Sequence, residues 1–360
     1  MNEISHPSTF ISASLTEKIR SFAGEAEKLG SLHPGQLDII YDQKWFDLFV
    51  PRTQGGLELS LTDALCVEEG LAWADGSTGW TVTLCSGANW FIAFLDPALA
   101  TRLFSDKKVC LAGSGQPSGT ATIIANGYEV SGVWNYATGA HHATAFTANC
   151  IIEKNGIVVK NQDGSPLIRS FLFMKDEVAI HKNWRVTGMI ATGSDSFGVT
   201  NLQVANDRCF EINSKAAFLP HPIYQYPFLQ FAEATLAVNS SGMSMRFLDL
   251  CEQLFNEKNH RQYPSVANAR EQLQKARELF YDSVKRSWDE SLNGSQPSEE
   301  LLIRVSRASR ALAAKARQLM DELYPYCGLV AADPGTEINR VWRDLHTASQ
   351  HSLLNFTQAF

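Results

Sequence analysis

Three stretches of the chain carry side chains whose types and spacing suit chemistry. The first is Trp134–Gly139 (WNYATG), followed by His141 and His142. Strand alternation sends Trp134, Tyr136 and Thr138 to one face. Two flat rings and a hydroxyl there suit a planar ligand, with the hydroxyl bonding a ring nitrogen. The same pattern also suits a plain strand core. The second is Thr187–Ser196, where seven of ten residues are Gly, Ser, Thr or Asp. Backbone N–H groups in such a turn can meet a flavin or a phosphate, and an ordinary surface loop has the same composition. The third is Asn339–His351. Helical spacing brings Arg340, Arg343 or Asp344, and His351 near one another over three turns, unless they form a solvated face.

Other chemistries lack their signatures. There is no HExxH, no GxxxxGK[ST] and no GxSxG in a strand–turn–helix setting. Gly113–Gly115 opens like a dinucleotide fingerprint, but the following residues break it. The seven cysteines contain no CxxC and show no clustered Cys/His spacing, so no metal site is expected and buried reduced thiols are.

The elements that must position these stretches follow from the hydrophobic period. Residues 14–30 repeat Leu15, Ile19, Phe22, Ala23 and Ala26 on one helical face, with Ser14 and Glu17 as a capping box and Gly30 as the stop. Helices follow over 34–46 and 60–73. Another runs from near Asp75 to Leu95, apolar nearly all round and therefore buried on most sides, and a short one covers 97–104. From Val109 the pattern becomes strands at about 109–112, 120–125, 128–133, 143–152, 156–159, 170–174, 178–181 and 197–204. Asn126–Gly127 is a hairpin signal and Gly113–Gly119 reads as a loop. After Pro222 the helical period returns over 228–255, 266–292, 298–323 and 335–356, a four-helix bundle. The fold class is mainly α with a central β-domain. The expected units are an N-terminal helical domain (1–106), a small β-barrel or sandwich (107–221) and the bundle (222–360). Strands and helices do not alternate, which excludes a Rossmann pattern.

The net charge of −7 and the absence of a basic stripe argue against nucleic acid. No apolar run is long enough to span a bilayer and no signal peptide is evident, so a cytoplasmic protein is expected.

Taken together, these motifs resemble the acyl-CoA dehydrogenase superfamily over about Leu15–Leu354. The matching stretches are LFVPRTQGGLE (48–58), Glu68–Glu69, DGSTGW (75–80), GYEVSGVW (127–134), GSD (193–195) and Gly328 with RVWRD (340–344). More narrowly, STGW, WNYATG and WRDLHTASQH resemble the flavin-dependent aromatic monooxygenases of that superfamily, the oxygenase components of two-component systems.

The resemblance implies a flavin, FAD or FMN, with the reduced form among the options, between the β-domain and the bundle of a homotetramer. It implies an aromatic substrate and a separate flavin reductase. Trp134 and Thr138 would flank the flavin ring, Thr138 near N5, with Gly139 in the same turn and Trp80 on the same wall. Thr192 and Ser194 would approach flavin or substrate, and Arg343 would serve the cofactor. His351 would sit beside flavin and phenol and accept a phenolic proton.

The dehydrogenase branch often carries a Glu base just beyond the Arg–Asp pair, and Leu345–Leu354 contains no acid. The histidine that the monooxygenase branch tends to carry in the fourth helix is missing from Ser86–Trp90, with His141 or His142 as substitutes to test. For the dehydrogenases' arginine flavin clamp, Asn259–Gln262 is the nearest candidate. Two alternatives stay open: an acyl-CoA dehydrogenase with FAD and a relocated base, and a flavin-binding or structural relative without catalysis.

Overall fold

The computed structural model describes residues 4–258, 264–294 and 296–355. The clamp candidate at 259–262 lies outside them. The first helical block comprises α1 (Ala13–Leu29), α2 (Pro34–Asp42), α3 (Leu61–Ala74), α4 (Gly76–Asn89) and α5 (Pro97–Leu103). The strands are β1 (Leu111–Ile124), β2 (Gly127–Trp134), β3 (Ala145–Lys154), β4 (Ile157–Val158), β5 (Ile168–Met174), β6 (Ala179–His181), β7 (Ser196–Ala205) and β8 (Cys209–Phe210). The second block holds α6 (Pro222–Gln225), α7 (Phe228–Lys258), α8 (Val266–Leu292), α9 (Glu299–Cys327), α10 (Leu329–Ala332) and α11 (Glu337–Ala348).

Most periods translate directly into elements, and the differences have local causes. Helix α1 is capped by Ser12, whose Oγ accepts from Leu15 N–H, not by Ser14; Gly30 closes it at φ 68° as expected. The Gly113–Gly119 run is not a loop. It lies within β1, where the pairing with β3 shifts register between Ser114 and Gly119. Helix α11 stops at Ala348, short of 356, so His351 lies beyond it as the cap of a short 3-10 turn.

The strands form one eight-stranded mixed sheet in the order β6-β7-β2-β1-β3-β5-β8, with β4 on β3. Only the β1–β3 pair is parallel among these ladders. The sheet encloses its own core of Val130, Trp134, Phe146, Phe171, Phe173 and Phe197. The two helical blocks share a second core that runs from Ile11 to Leu354.

Helix α4 is the buried axle of the molecule. Asp75 caps it by accepting from Thr78 N–H and Oγ1–H, and twelve of its fourteen residues are buried against α3, α7 and β1. Small residues let these helices approach closely. A Cβ on Gly242 of α7 would stand 2.3 Å from the Glu69 carbonyl oxygen of α3. Gly→Ala in a helix normally gains about 1 kcal/mol. Here the obstruction is backbone, so overpacking wins: Gly242→Ala is expected to lower stability by about 1–3 kcal/mol. Urea unfolding measures this, and an unchanged midpoint would contradict the close α3–α7 contact.

Candidate active site

Where α4, the sheet and α7 meet, they leave a cavity of about 230 Å³. Thr83, Gly87 and Ala88 of α4 form one wall, and Gly113–Gly115 of β1 with Asn149 of β3 form another. The aromatic rings of Phe91, Phe210, Phe228 and Phe231 complete an apolar interior with few polar groups, the usual make-up of a small-molecule site. Thr138 and His351 both line it. A Cβ on Gly115 would meet nothing within 4 Å and one on Gly87 only a Phe231 carbon at 3.9 Å, so both glycines leave room for a flat ligand.

Thr138 ends a relay of hydroxyls. Its Oγ1 lies 2.8 Å from Ser194 Oγ, which lies 2.7 Å from Thr192 Oγ1, which donates to the Met189 carbonyl at 2.9 Å. Each hydroxyl has one proton. With the Thr192 proton on Met189, Ser194 donates to Thr192 and Thr138 donates to Ser194. Thr138 then turns acceptor lone pairs to the cavity.

His351 Nδ1 accepts from Leu353 N–H at 3.3 Å, which leaves Nε2 for a ligand. Trp80 meets the imidazole edge-on at 6.0 Å. Burial lowers the His351 pKa from its ordinary 6.5, so the ring is neutral at pH 7. A neutral ring with Nδ1 accepting carries its proton on Nε2. The group offered to a ligand is therefore a donor, in contrast to the proton acceptor expected for this position.

The other expected site residues stand back from the cavity wall. Strand β2 ends at Trp134, and Tyr136 adopts φ 66°, so the alternation breaks. Tyr136 is 65% exposed, whereas Trp134 is fully buried in the sheet core, stacked on Phe197 and donating from its indole to the Asn149 carbonyl. Trp134 thus lies in the sheet core and is not among the residues that line the cavity. Thr192 and Ser194 act on Thr138 from behind. Gly139 lies under the same turn against Cys85 and His142, and Trp80 touches the cavity only through His351.

Arg343 is engaged elsewhere. It pairs with Glu27 of α1 at 3.0 Å and donates to Asn339 and to the Thr187 carbonyl. His141 pairs with Asp195 at 2.7 Å. Thr83, Asn149, Phe228 and Thr235 are cavity residues that sequence reasoning did not single out. Their types are ordinary, and only Gly113–Gly115 carried a visible mark.

Helix α11 steadies the relay. Asp344 Oδ1 accepts from Met189 N–H at 2.5 Å, and Thr347 Oγ1 accepts from Gly188 N–H. Asp344 is buried, and burial, then the nearby Asp75 charge, raise its pKa to about 8. The unfolded value is near 3.8, so the folded state holds a proton that the unfolded chain releases. That contribution is full below pH 3.8 and is lost as pH rises through about 8. Asp344→Asn keeps an acceptor for Met189 and removes the titration. The variant should lack a fall in stability that approaches about 1.4 kcal/mol per pH unit in the wild type within that window. Urea unfolding at several pH values checks this; parallel wild-type and variant profiles would contradict it.

The comparisons with known proteins agree with this architecture. Residues 226–356 match the family model described as "Acyl-CoA dehydrogenase, C-terminal domain". The C-terminal helical block of the chain is thus similar to that of the acyl-CoA dehydrogenase family. Over nearly its whole length the chain is similar to monooxygenases, among them flavin-dependent ones. It is 25% identical to an indole-3-acetate monooxygenase of Pseudomonas putida over 93% of this chain and 87% of that protein. It is 24% identical to HsaA of Rhodococcus jostii, the oxygenase subunit of a flavin-dependent monooxygenase, over 94% of this chain and 92% of that protein. The crystal structure of the HsaA monooxygenase from M. tuberculosis superposes with a TM-score of 0.87 at 24% identity, covering 97% of this chain and 93% of that one. Among the described residues, no helix is long and apolar enough to cross a membrane.

Proposed function

We propose that the protein is the oxygenase component of a two-component flavin-dependent monooxygenase that hydroxylates an aromatic, phenolic substrate. One observation carries this reading: the cavity is walled by aromatic rings, its titratable side chain is His351, and no carboxylate is among its lining residues. Oxidation of an acyl thioester needs a carboxylate placed to remove the α-proton, so the dehydrogenase alternative lacks its base here.

The residues suit a flavin. The small side chains of α4 and β1 leave a flat slot, and Thr138 presents an acceptor to it. A reduced isoalloxazine offers a ring N–H at N5, whereas the oxidised ring offers a lone pair there, so Thr138 favours the reduced form. Bound reduced flavin supplies the electrons that activate dioxygen for transfer of one oxygen atom to the aromatic ring. The protein does the rest. Phe91, Phe228 and Phe231 exclude water. Thr138 holds the cofactor, and His351 Nε2–H donates to the phenolic oxygen and stabilises negative charge there. Delivery of reduced flavin falls to a separate reductase. Assembly as a homotetramer is part of the same reading.

Anaerobic titration with reduced and oxidised flavin, followed by mixing with a phenol and oxygen, tests the reading. Tighter binding of reduced flavin and a hydroxylated product are expected. Preference for oxidised flavin, with bleaching by an acyl-CoA, would overturn it.

A further inference from the structure

Directly behind the Thr138–Gly139 turn lie three side chains that the proposed reaction does not use. Cys85 comes from the last turn of α4, Cys110 from the residue before β1, and His142 from the turn after β2. Their Sγ, Sγ and imidazole nitrogen atoms all lie within 4.8 Å of one another. Both sulfurs are fully buried. His142 Nε2 is buried, with the Cys85 thiol as its neighbour and no nitrogen or oxygen partner among the described residues. A buried imidazole nitrogen that faces only a thiol, a weak hydrogen-bonding group, suits a stronger partner.

The surroundings hold the group in place. Phe46 stacks on the His142 ring at 5.6 Å, and His142 N–H donates to the Gly139 carbonyl. Thr144 N–H donates to the Cys110 carbonyl, and Thr144 Oγ1 accepts from Cys110 N–H. Gly139 closes the turn over the cluster at φ 80°. A Cβ there would stand 2.8 Å from Cys85 Sγ and 3.0 Å from His142 Nε2. The Thr138 carbonyl oxygen is 3.7 Å from Cys85 Sγ.

We propose that Cys85, Cys110 and His142 bind one thiophilic metal ion, zinc(II), that pins the Thr138–Gly139 turn to α4. Two thiolates and an imidazole are a recurrent zinc donor set, and tetrahedral zinc places two thiolate sulfurs about 3.8 Å apart. The cluster reaches that geometry by small side-chain shifts. Both thiols lose their protons on binding, and these pass to solvent. No metal site was expected from the sequence, because the three ligands are far apart along the chain and only the packing of α4 on the sheet unites them. The ion would set the position of Thr138 without touching the substrate, which makes it a positioning site.

Metal content does not depend on activity, so this test stands apart from that of the monooxygenase reading. Full-length protein is purified under thiol reductant without chelator. Its zinc is assayed, and the stripped protein is titrated with zinc(II) against a chromophoric chelator and with cobalt(II). About one zinc per chain is expected, together with a tetrahedral cobalt spectrum bearing a sulfur-to-cobalt charge-transfer band. Cys85→Ser, Cys110→Ser and His142→Gln should each weaken zinc binding about tenfold or more, while Cys66→Ser leaves it unchanged. Should the variants fold poorly, the wild-type stoichiometry and cobalt spectrum decide alone. Substoichiometric zinc in the wild type, undiminished binding in folded Cys85→Ser, or a native Cys85–Cys110 disulfide would each overturn the proposal.

Discussion

Replacing His351 by alanine should cut hydroxylation by about 10²–10³-fold, the usual loss when one donor to a developing oxyanion is removed. The argument rests on the ring's protonation. Burial holds the imidazole neutral at pH 7, and the Leu353 N–H on Nδ1 leaves the proton on Nε2. An Nε2–H donor can hold a phenolic oxygen but cannot take its proton. His351→Asn separates the two roles, since an amide N–H still donates and is not a base. Asparagine should recover a substantial part of the alanine loss, with reduced-flavin affinity unchanged in both variants. The measurement is hydroxylated product formed per reduced flavin consumed in a single turnover. Equal losses for alanine and asparagine would make His351 a base; full activity of the alanine variant would remove it from the site.

The architecture was legible because the hydrophobic period changes twice, at Val109 and after Pro222, and because the stretch from Asp75 to Leu95 is apolar nearly all round. Thr138 and His351 could be singled out as a hydroxyl and a histidine in otherwise ordinary stretches. Trp134 and Tyr136 do not share a face, because strand alternation does not continue past the end of β2 at Trp134. The positive φ of Tyr136 turns the chain, and the aromatic pair separates into core and solvent. The pairing of Arg343 with Glu27 was not legible, because Glu27 lies in α1 and no local pattern records a pairing across that distance. The glycines of β1 were read as loop, although close contact with β3 requires one of them, Gly113, within a strand. A Cβ on Gly113 would stand 2.2 Å from Thr147 Oγ1. Most of the cavity wall left no trace, since Thr83, Asn149 and Thr235 acquire meaning only when α4, β3 and α7 converge.

The largest stability effect should come from the fully buried ion pair between Glu69 of α3 and Arg277 of α8. The guanidinium meets the carboxylate through two parallel bonds, Nε to Oε1 at 2.8 Å and the second to Oε2 at 2.9 Å. Ser241 and Tyr281 hydroxyls donate to the remaining carboxylate positions, and Arg277 also donates to Gln274 and the Ser5 carbonyl. Burial works against the Arg277 charge, and the Glu69 charge and its hydrogen bonds more than restore it. Such a pair adds little over a well-packed apolar one, but removing one member strands the other charge without water. Arg277→Ala should therefore cost about 3–5 kcal/mol. The double variant Glu69→Leu with Arg277→Leu should cost less than the sum of its single variants, because no buried charge is then left alone. Urea unfolding of the four proteins measures the coupling. Additive losses would mean that the two charges do not depend on each other, in conflict with the bidentate contact. The Glu69 carbonyl is also the atom that Gly242 approaches, so a shift in this pair would move α3 against α7 and, through Asp75, the start of the α4 wall of the cavity.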